Sequence, residues 1–316
     1  MALDRLLNHH SQSRLDITLD LLLSDASLPK LARNYLISCK VENKSQKYLR
    51  LIRDVLSRFL SNRDPLSITR DDIRLYLNIL FESGFKPTSV HIHYRTIKTF
   101  YNWLIGEEII SKNPMQNMDP PKLPRPVILP FTLKDIGNLF TLCAGRSFLE
   151  IRNNAIFCLF LDTGIRLEEM SRLKLIDVDF DSESVNIMGK GSKGRKVRIG
   201  KSARRALLKY LLARGDDSWP ELWLTEEHRP LTKNGVDILV KRYCRAAVVS
   251  GARPSAHTFR HTAAINYLRN GGDQFTLQIM LGHSSLEMTR RYVSSLGADD
   301  MFKIHQTASP LDKMLK

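Results

Sequence analysis

Residues 257–261 of this 316-residue chain read HTFRH, which puts two histidines and an arginine within about one turn of a helix. Side chains four apart lie one above the other on one helical face, so His257 and His261 have the spacing of a metal-ligand pair. His257 and Arg260, three apart, have the spacing of a clamp for an anion. An arginine beside a metal ion is electrostatically unfavourable, and the rest of the sequence must decide between the two interpretations.

The charge of the chain favours an anionic partner. The formal net charge is +15 and the isoelectric point is about 9.8. Residues 1–120 hold 17 Lys+Arg and 13 Asp+Glu, so most of the surplus lies in the remainder. Such a surplus favours a polyanion, since neutralising phosphates releases condensed counterions. We therefore expect a nucleic-acid partner, against the alternative of an ordinary basic protein.

The cysteines and the hydropathy pattern indicate a reduced, cytoplasmic protein without a membrane partner. The four cysteines lie far apart with no C-x-x-C pair, which argues against a disulfide framework or a zinc ribbon. They are Cys39, Cys143, Cys158 and Cys244. No apolar stretch approaches the roughly 20 residues that a membrane helix needs, and the N-terminus lacks the apolar core of a signal peptide.

A proline-rich stretch predicts the domain boundary. DPPKLPRPVILP (119–130) contains five prolines, which forbid a continuous helix and indicate an extended linker. We expect a helical N-terminal domain over residues 1–118 and a second domain over residues 131–316. Both are long enough to bury a core of their own.

Apolar periodicity predicts a mainly α fold with a small β-sheet, of the α+β class. Before the linker, four helical segments are expected at 31–40, 45–60, 69–84 and 87–108. After it, helices are expected at 131–145, 151–165, 203–215, 235–249 and 261–272. Alternating segments at 182–188 and 195–200 flank a glycine-rich turn and predict a β-hairpin.

Two glycine motifs in this region are not nucleotide sites. GKGSKG (189–194) matches G-x-G-x-x-G, but a strand follows it where a dinucleotide site requires a helix. GKS (200–202) lacks the earlier glycine of a phosphate loop, because Arg195 occupies that position.

Basic residues in two places are candidate DNA contacts. One set surrounds Tyr94 on the fourth helix and comprises Lys86, His91, His93, Arg95 and Lys98. The other lies on the hairpin beside Lys190 and comprises Lys193, Arg195 and Lys196. A wet helix face and an ordinary hairpin turn are the structural alternatives.

Four stretches carry side chains that phosphodiester chemistry can use: TGIRLEEMSRL (163–173), GKGSKGRK (189–196), HTFRH and LGHSSLEMTRRYV (281–293). They supply Arg166, Lys190, His257, Arg260, His283 and Tyr292. Paired guanidiniums can bind nonbridging oxygens, a tyrosine hydroxyl can attack phosphorus, and a lysine or histidine can move protons. Each residue alone has a structural alternative; Arg166, for example, could simply pair with Glu169. Their order as a set is the informative feature.

This ordered series resembles the tyrosine recombinase, or phage integrase, family. The four stretches span about 130 residues, and the helical first part is similar to the family's SAM-like core-binding domain. Phe259 and Ile165 stand where leucine is more usual, and neither position bears on the chemistry. The layout resembles compact Xer-like and transposon-encoded members.

The resemblance implies a role for each residue. Tyr292 would attack the scissile phosphate and form a 3′-phosphotyrosyl link, with strand exchange through a Holliday junction. Arg166 and Arg260 would bind the nonbridging oxygens, with Arg166 braced by Glu169. Lys190 would donate a proton to the leaving 5′-oxygen, and His257 would assist proton transfer at the tyrosine. His283 would donate a hydrogen bond to the phosphate.

The resemblance also implies the partners. The two domains would close around duplex DNA carrying inverted repeats, and a tail after Tyr292 would dock on a neighbour in a tetrameric synapse. Neither metal, ATP nor another cofactor is expected. The target sequence, the biological task, any accessory factor or second recombinase, and the role of His261 stay open.

Three other functions compete with site-specific recombination. A type IB topoisomerase would use the same chemistry without exchange, and a DNA-binding regulator would keep the fold without cleavage. A metal-dependent hydrolase would use His257, His261 and a third ligand such as His283. Against it, Thr258 stands where a catalytic zinc helix carries its glutamate base, and Arg260 would repel the ion. We therefore interpret HTFRH as an anion clamp in which His257 and Arg260 are the working pair.

Overall fold

The computed structural model describes residues 28–61, 63–123, 129–189, 194–249 and 251–314. The chain divides into two units, Met1–Arg125 and Pro126–Lys316. Part of the predicted linker, residues 124–128, lies outside the described residues. Each unit has its own apolar core.

The first unit contains four α-helices in its described part. They are α1 (Lys30–Val41), α2 (Gln46–Leu60), α3 (Arg70–Glu82) and α4 (Pro87–Gly106), with a 3₁₀ turn at Pro65–Ser67. α3 begins in a capping box, in which Thr69 and Asp72 each bond the other's backbone N–H. On α2 six apolar side chains recur at helical spacing and are buried, so this face packs into the core: Leu49, Ile52, Val55, Leu56, Phe59 and Leu60. Leu51, which lies off this face, is 37% exposed.

The second unit is a mixed helical domain around a small sheet. Its helices are α5 (Leu133–Thr141), α6 (Phe148–Thr163), α7 (Leu167–Arg172), α8 (Lys201–Arg214), α9 (Lys233–Ala246), α10 (Ala256–Arg269), α11 (Gln274–Leu281), α12 (Glu287–Val293), α13 (Ala298–Ala308) and α14 (Pro310–Met314). A 3₁₀ turn at Leu175–Asp177 precedes the sheet. This composition confirms the predicted α+β class.

The sheet has three antiparallel strands, one more than the predicted hairpin. They are β1 (Val178–Asp179), β2 (Ser184–Met188) and β3 (Gly194–Arg198), in the order β1-β2-β3. Val185 lies opposite Val197, and both side chains are buried in the core. The strands therefore fix which side chains of β3 face inward.

Helix α6 is the centre of the second unit, and α8 and α10 pack against it. The ring of Phe259 on α10 is fully buried and contacts the rings of Phe131, Phe157 and Phe160 at centroid distances of 4.8 to 5.5 Å. Because Phe259 directly precedes Arg260, this aromatic cluster sets where that arginine points.

A separate apolar cluster joins α10, α11 and α12. It is built from Ala264, Ile265, Leu268, Leu277, Leu281 and Tyr292. The candidate nucleophile is therefore part of a core, and the packing of α12 on α10 determines its position. In the part of the chain that the structure describes, no helix is both long and apolar enough to cross a membrane.

Replacing Phe259 by alanine should destabilise the second unit strongly. Removing a fully buried aromatic ring leaves a cavity and costs about 3–5 kcal/mol of unfolding free energy. Urea unfolding followed by tryptophan fluorescence measures the loss. Phe275→Ala is the matched control, because that ring is 61% exposed and its removal should change stability by no more than about 0.5 kcal/mol. Equal losses in the two variants would contradict the packing described.

Candidate active site

The end of α11 organises the candidate site. The helix is followed by Gly282, which has a left-handed conformation (φ 63°). A helix end leaves its last carbonyl groups without partners inside the helix. Here the consecutive carbonyls of Met280, Leu281 and Gly282 each accept an N–H from a different arginine. The arginines come from distant parts of the chain, so this turn holds them together.

Arg260 is the most deeply buried of the three arginines, with 2% of its surface exposed. Nη2 donates to the carbonyl of Leu281 and Nη1 donates to that of Gly164, each at 2.8 Å. Burial and the nearby charge of Arg166 lower its pKa to about 10. The guanidinium is therefore still charged at neutral pH, and its orientation is fixed from two sides.

Arg166 directly precedes helix α7 and presents a partly exposed guanidinium. Nη2 donates to the carbonyl of Gly282 at 3.0 Å, and Nη1 donates to Glu169 Oε1 at 2.9 Å. The backbone N–H of Arg166 also donates to Glu169 Oε2 at 3.0 Å. Glu169 thus holds both the backbone and the side chain of Arg166.

Glu169 is shared with a third arginine, Arg195 of β3. Nη1 and Nη2 of Arg195 donate to the two carboxylate oxygens at 3.0 and 2.8 Å, and Nε donates to the carbonyl of Met280 at 2.8 Å. Burial raises the pKa of Glu169, but its bonds to Arg195 and Arg166 outweigh burial and lower the pKa to about 2. The carboxylate is ionised and offsets part of the positive charge.

His283 and Tyr292 adjoin the same turn. His283 directly follows Gly282, and its Nδ1 lies 2.8 Å from the hydroxyl of Thr289. Its ring stacks on that of Tyr292, with centroids 6.0 Å apart and planes 5° apart. The stacking places the tyrosine beside the turn that holds the arginines.

The tyrosine is enclosed in this structure. Tyr292 is 1% exposed, and its hydroxyl accepts a hydrogen bond from Arg291 Nη2 at 3.2 Å. The Arg291 guanidinium also lies over the ring at 5.0 Å. The Arg291 side chain therefore contacts both the hydroxyl and the face of the tyrosine ring.

The two histidines of HTFRH have different surroundings. His257 is exposed on the first turn of α10, and its ring meets that of His261 edge to face at 5.0 Å. His261 is 3% exposed, has no hydrogen-bond partner for its Nε2 among the described residues, and lies 5.1 Å from the Tyr292 ring. His261 therefore packs behind the tyrosine.

All three histidines of the site are neutral at neutral pH. Partial desolvation of its ring by the neighbouring side chains, together with the charges of Arg291 and Arg260, lowers the pKa of His257. Burial and His257 lower the pKa of His261 to about 4, and burial and Arg260 lower the pKa of His283 to about 4. Neutral imidazoles can accept a proton or donate one hydrogen bond.

The structure brings together five of the six residues predicted for catalysis. Lys190, the sixth, lies outside the described residues, as does Lys193. Among the residues that are described, no group of three His, Cys, Asp or Glu side chains is arranged to hold a metal ion.

Comparison with known proteins identifies the family. The sequence profile of the Phage integrase family matches residues 131–298. That of the phage integrase N-terminal SAM-like domain matches residues 35–111. The chain belongs to the phage integrase family. The predicted family is therefore confirmed, and with it the enzyme class, a tyrosine-type site-specific recombinase.

Relatives and solved structures agree with this placement. Tyrosine recombinase XerC of Herpetosiphon aurantiacus is 32% identical over 77% of this chain and 80% of its own length. XerC of Pediococcus pentosaceus is 28% identical over 76% and 83%. The fold is similar to that of the Tn1549 transposon integrase bound to transposon end DNA, with a TM-score of 0.69 at 19% identity, over 88% of this chain and 99% of that one.

The candidate DNA contacts on α4 of this integrase-family chain and at the residue before it differ in exposure. Lys86 and Arg95 are exposed, and the half-buried Lys98 lies over the ring of Tyr94 at 5.6 Å. His93 is only 8% exposed, and its Nδ1 lies 2.8 Å from the hydroxyl of Tyr76. The position of His93 argues against the DNA contact that the sequence predicted, because the ring packs inside the unit.

The two described candidate contacts on the hairpin, Lys196 and Arg195, differ in exposure. Lys196 pairs with Asp179 at 3.3 Å and is about half exposed. The side chain of Arg195 is only 10% exposed and bonds Glu169, so its position argues against a predicted phosphate contact. The sequence did not predict the contacts of Arg195, because its partners Glu169 and Met280 are distant in sequence.

Sequence reasoning also left two glycines of the family motifs without a role. A Cβ on Gly282 would lie 3.0 Å from Arg195 Nη1, and one on Gly164 would lie 2.7 Å from Leu281 Cδ2. Both residues have a left-handed backbone. A glycine directly after a helix is a readable signal for such a cap.

Replacing Gly282 by alanine should impair both stability and DNA cleavage. The left-handed backbone costs an alanine about 1–2 kcal/mol, and its Cβ would displace the Arg195 guanidinium. Gly271→Ala is the matched control, because Gly271 also has a positive φ but a Cβ there would meet no atom within 4 Å. We expect the two variants to lose similar amounts of unfolding free energy in urea. Only Gly282→Ala should also cleave DNA more slowly, by at least about tenfold. Equal cleavage rates would contradict a role for this turn.

Proposed function

We propose that the protein is a site-specific recombinase that cuts and rejoins duplex DNA through a covalent 3′-phosphotyrosyl link at Tyr292. The observation that carries the proposal is the convergence of Arg166, Arg260 and His283 on one turn, with Tyr292 stacked against it. Strand exchange then proceeds through a Holliday junction. The XerC relatives are named tyrosine recombinases.

The two arginines bind the nonbridging oxygens of the scissile phosphate. Each guanidinium carries five N–H donors, more than its contacts with carbonyls and Glu169 use. Arg260 is anchored to two carbonyls and Arg166 to a carbonyl and a carboxylate, so neither must be reorganised when charge develops on the phosphate. Preorganised donors of this kind are worth about 3–4 kcal/mol each in comparable oxyanion sites.

The histidines handle protons. When the Thr289 hydroxyl donates to Nδ1 of His283, the ring keeps its proton on Nε2, which can donate to a phosphate oxygen. His257, neutral and exposed, accepts the proton of the Tyr292 hydroxyl. A phosphate can be reached only after the Tyr292 side chain, now 1% exposed, becomes accessible on DNA.

The covalent step balances without a metal ion or ATP. The bond between the Tyr292 oxygen and phosphorus forms while the bond between phosphorus and the 5′-oxygen breaks. The leaving oxygen takes a proton from Lys190, which the motif assigns to this role. One phosphodiester replaces another, so the reverse reaction with a new 5′-hydroxyl rejoins the DNA.

Tyr292→Phe should abolish covalent attachment to DNA, because the variant lacks the attacking oxygen. Incubating the wild type with fragmented DNA from its source, denaturing, and sequencing the attached strands identifies the target. Suicide duplexes built from that sequence then compare the variants. Tyr267→Phe is the matched control, since Tyr267 packs against the same apolar cluster and should leave adduct formation unchanged.

An adduct on Tyr292→Phe would show that another residue is the nucleophile. A plasmid with two target sites distinguishes exchange from simple nicking. We expect recombinant products; relaxation without them would favour a type IB topoisomerase, and binding without any adduct would favour a regulator.

The partner is double-stranded DNA with inverted repeats, bound by four copies of this chain in the cytoplasm. The C-terminal helices support assembly, because they expose several large apolar side chains that a single chain leaves in water. These are Met301, Phe302, Leu311 and Met314, each at least 57% exposed. We assign them to docking on a neighbouring copy in the synapse.

Replacing both Met301 and Phe302 by alanine should weaken the synapse but not binding to a single half-site. Sedimentation of protein–DNA complexes separates monomers, dimers and tetramers. We expect the tetramer fraction to fall severalfold, while Leu133→Ala, which removes an 86% exposed side chain elsewhere, leaves it unchanged. An unchanged tetramer fraction in the double variant would show that the tail does not mediate assembly.

A further inference from the structure

Arg195 has the surroundings of a residue that serves the active site and not the surface. It is the second residue of β3, and its side chain is 10% exposed. Three N–H groups of the guanidinium are engaged at 2.8 to 3.0 Å, two with Glu169 and one with the carbonyl of Met280. By contrast, Arg198 on the same strand is 81% exposed and pairs with Glu183.

The contact with Glu169 links Arg195 to Arg166. The two carboxylate oxygens each accept one bond from Arg195 and one from Arg166. Without Arg195, the largely buried carboxylate would depend on Arg166 alone for compensation of its charge. Arg166 would then be drawn towards Glu169 and be less available to a phosphate.

The contact with Met280 links Arg195 to the turn that carries His283. Its guanidinium also packs so closely on Gly282 that a Cβ there would lie 3.0 Å from Nη1 and 3.2 Å from Cζ. One side chain therefore fixes both the carboxylate behind Arg166 and the backbone that directly precedes His283. Lysine cannot replace it, because an ammonium lacks the planar fork that reaches three acceptors at once.

We propose that Arg195 is a positioning residue for DNA cleavage: it holds Glu169 and the turn at 280–282 so that Arg166 and His283 face the scissile phosphate. The proposal rests on the proposed recombinase function. A positioning role and a purely structural role predict different results. If Arg195 positions the site, replacing it lowers the rate of the chemical step at saturating protein and leaves DNA affinity unchanged.

Single-turnover cleavage of a suicide duplex tests the proposal. We expect Arg195→Ala to lower the rate constant roughly 10- to 100-fold, with DNA affinity within about twofold of the wild type. Arg195→Lys, which keeps the charge, decides the question if the alanine variant fails to fold, and it should also cleave at least about fivefold more slowly. Arg198→Ala is the matched control on the same strand and should cleave like the wild type.

A double-variant cycle with Glu169→Gln tests the route. If Arg195 acts through Glu169, the double variant should cleave no more slowly than the worse single variant. Cleavage by Arg195→Ala and Arg195→Lys within about twofold of the wild type would overturn the proposal, as would an equal loss in Arg198→Ala.

Amide hydrogen exchange at residues 282–284 tests the positioning role of Arg195 independently of the proposed recombinase activity. Exchange there should be faster in Arg195→Lys than in the wild type and unchanged in Arg198→Ala. A wild type that never attaches to DNA, combined with this exchange pattern, would refute recombination and leave the positioning role standing. If the wild type cleaves DNA and exchange at residues 282–284 is as slow in Arg195→Lys as in the wild type, the positioning role is refuted.

Discussion

Three positive guanidiniums meet at three consecutive backbone carbonyls, and the candidate site depends on this arrangement. Arg195, Arg260 and Arg166 donate to the carbonyls of residues 280, 281 and 282. Like charges repel at such proximity, so compensation is needed. It comes from Glu169 and from the negative end of the α11 dipole. The protein thus concentrates positive charge before any phosphate is present, and a phosphate supplies the missing negative charge.

The same turn connects electrostatics to packing. The carbonyl of Leu281 accepts a hydrogen bond from Arg260, and its side chain packs in the apolar cluster that buries Tyr292. His283, two residues on, stacks on the tyrosine ring. A change in the packing of α11 therefore moves the phosphate-binding groups and the nucleophile's surroundings together. Gly282 lies between Leu281 and His283, where the backbone is left-handed and the Arg195 guanidinium leaves little room for a side chain.

Much of this could be predicted from the sequence, because the informative signals are local. The apolar stripe of α2 and the capping residue Thr69 specify helices through contacts within a few residues. The order and spacing of Arg166, Arg260, His283 and Tyr292 identified the family. The role of Arg195 could not be predicted, since its acceptors lie 26 and 85 residues away. The burial of His93 could not be predicted for the same reason, because its partner Tyr76 is on another helix.

Guanidinium NMR of the DNA-free protein tests most directly whether the three-arginine arrangement exists before substrate binds. A side chain held by several directed bonds rotates slowly about its Nε–Cζ bond and shows separate Nη signals. We predict separate signals for Arg195 and Arg260, each fixed by two or more bonds, and averaged signals for the exposed Arg198. Averaging of Arg195 and Arg260 as fast as Arg198 would contradict the account, because the positive cluster would then form only on DNA.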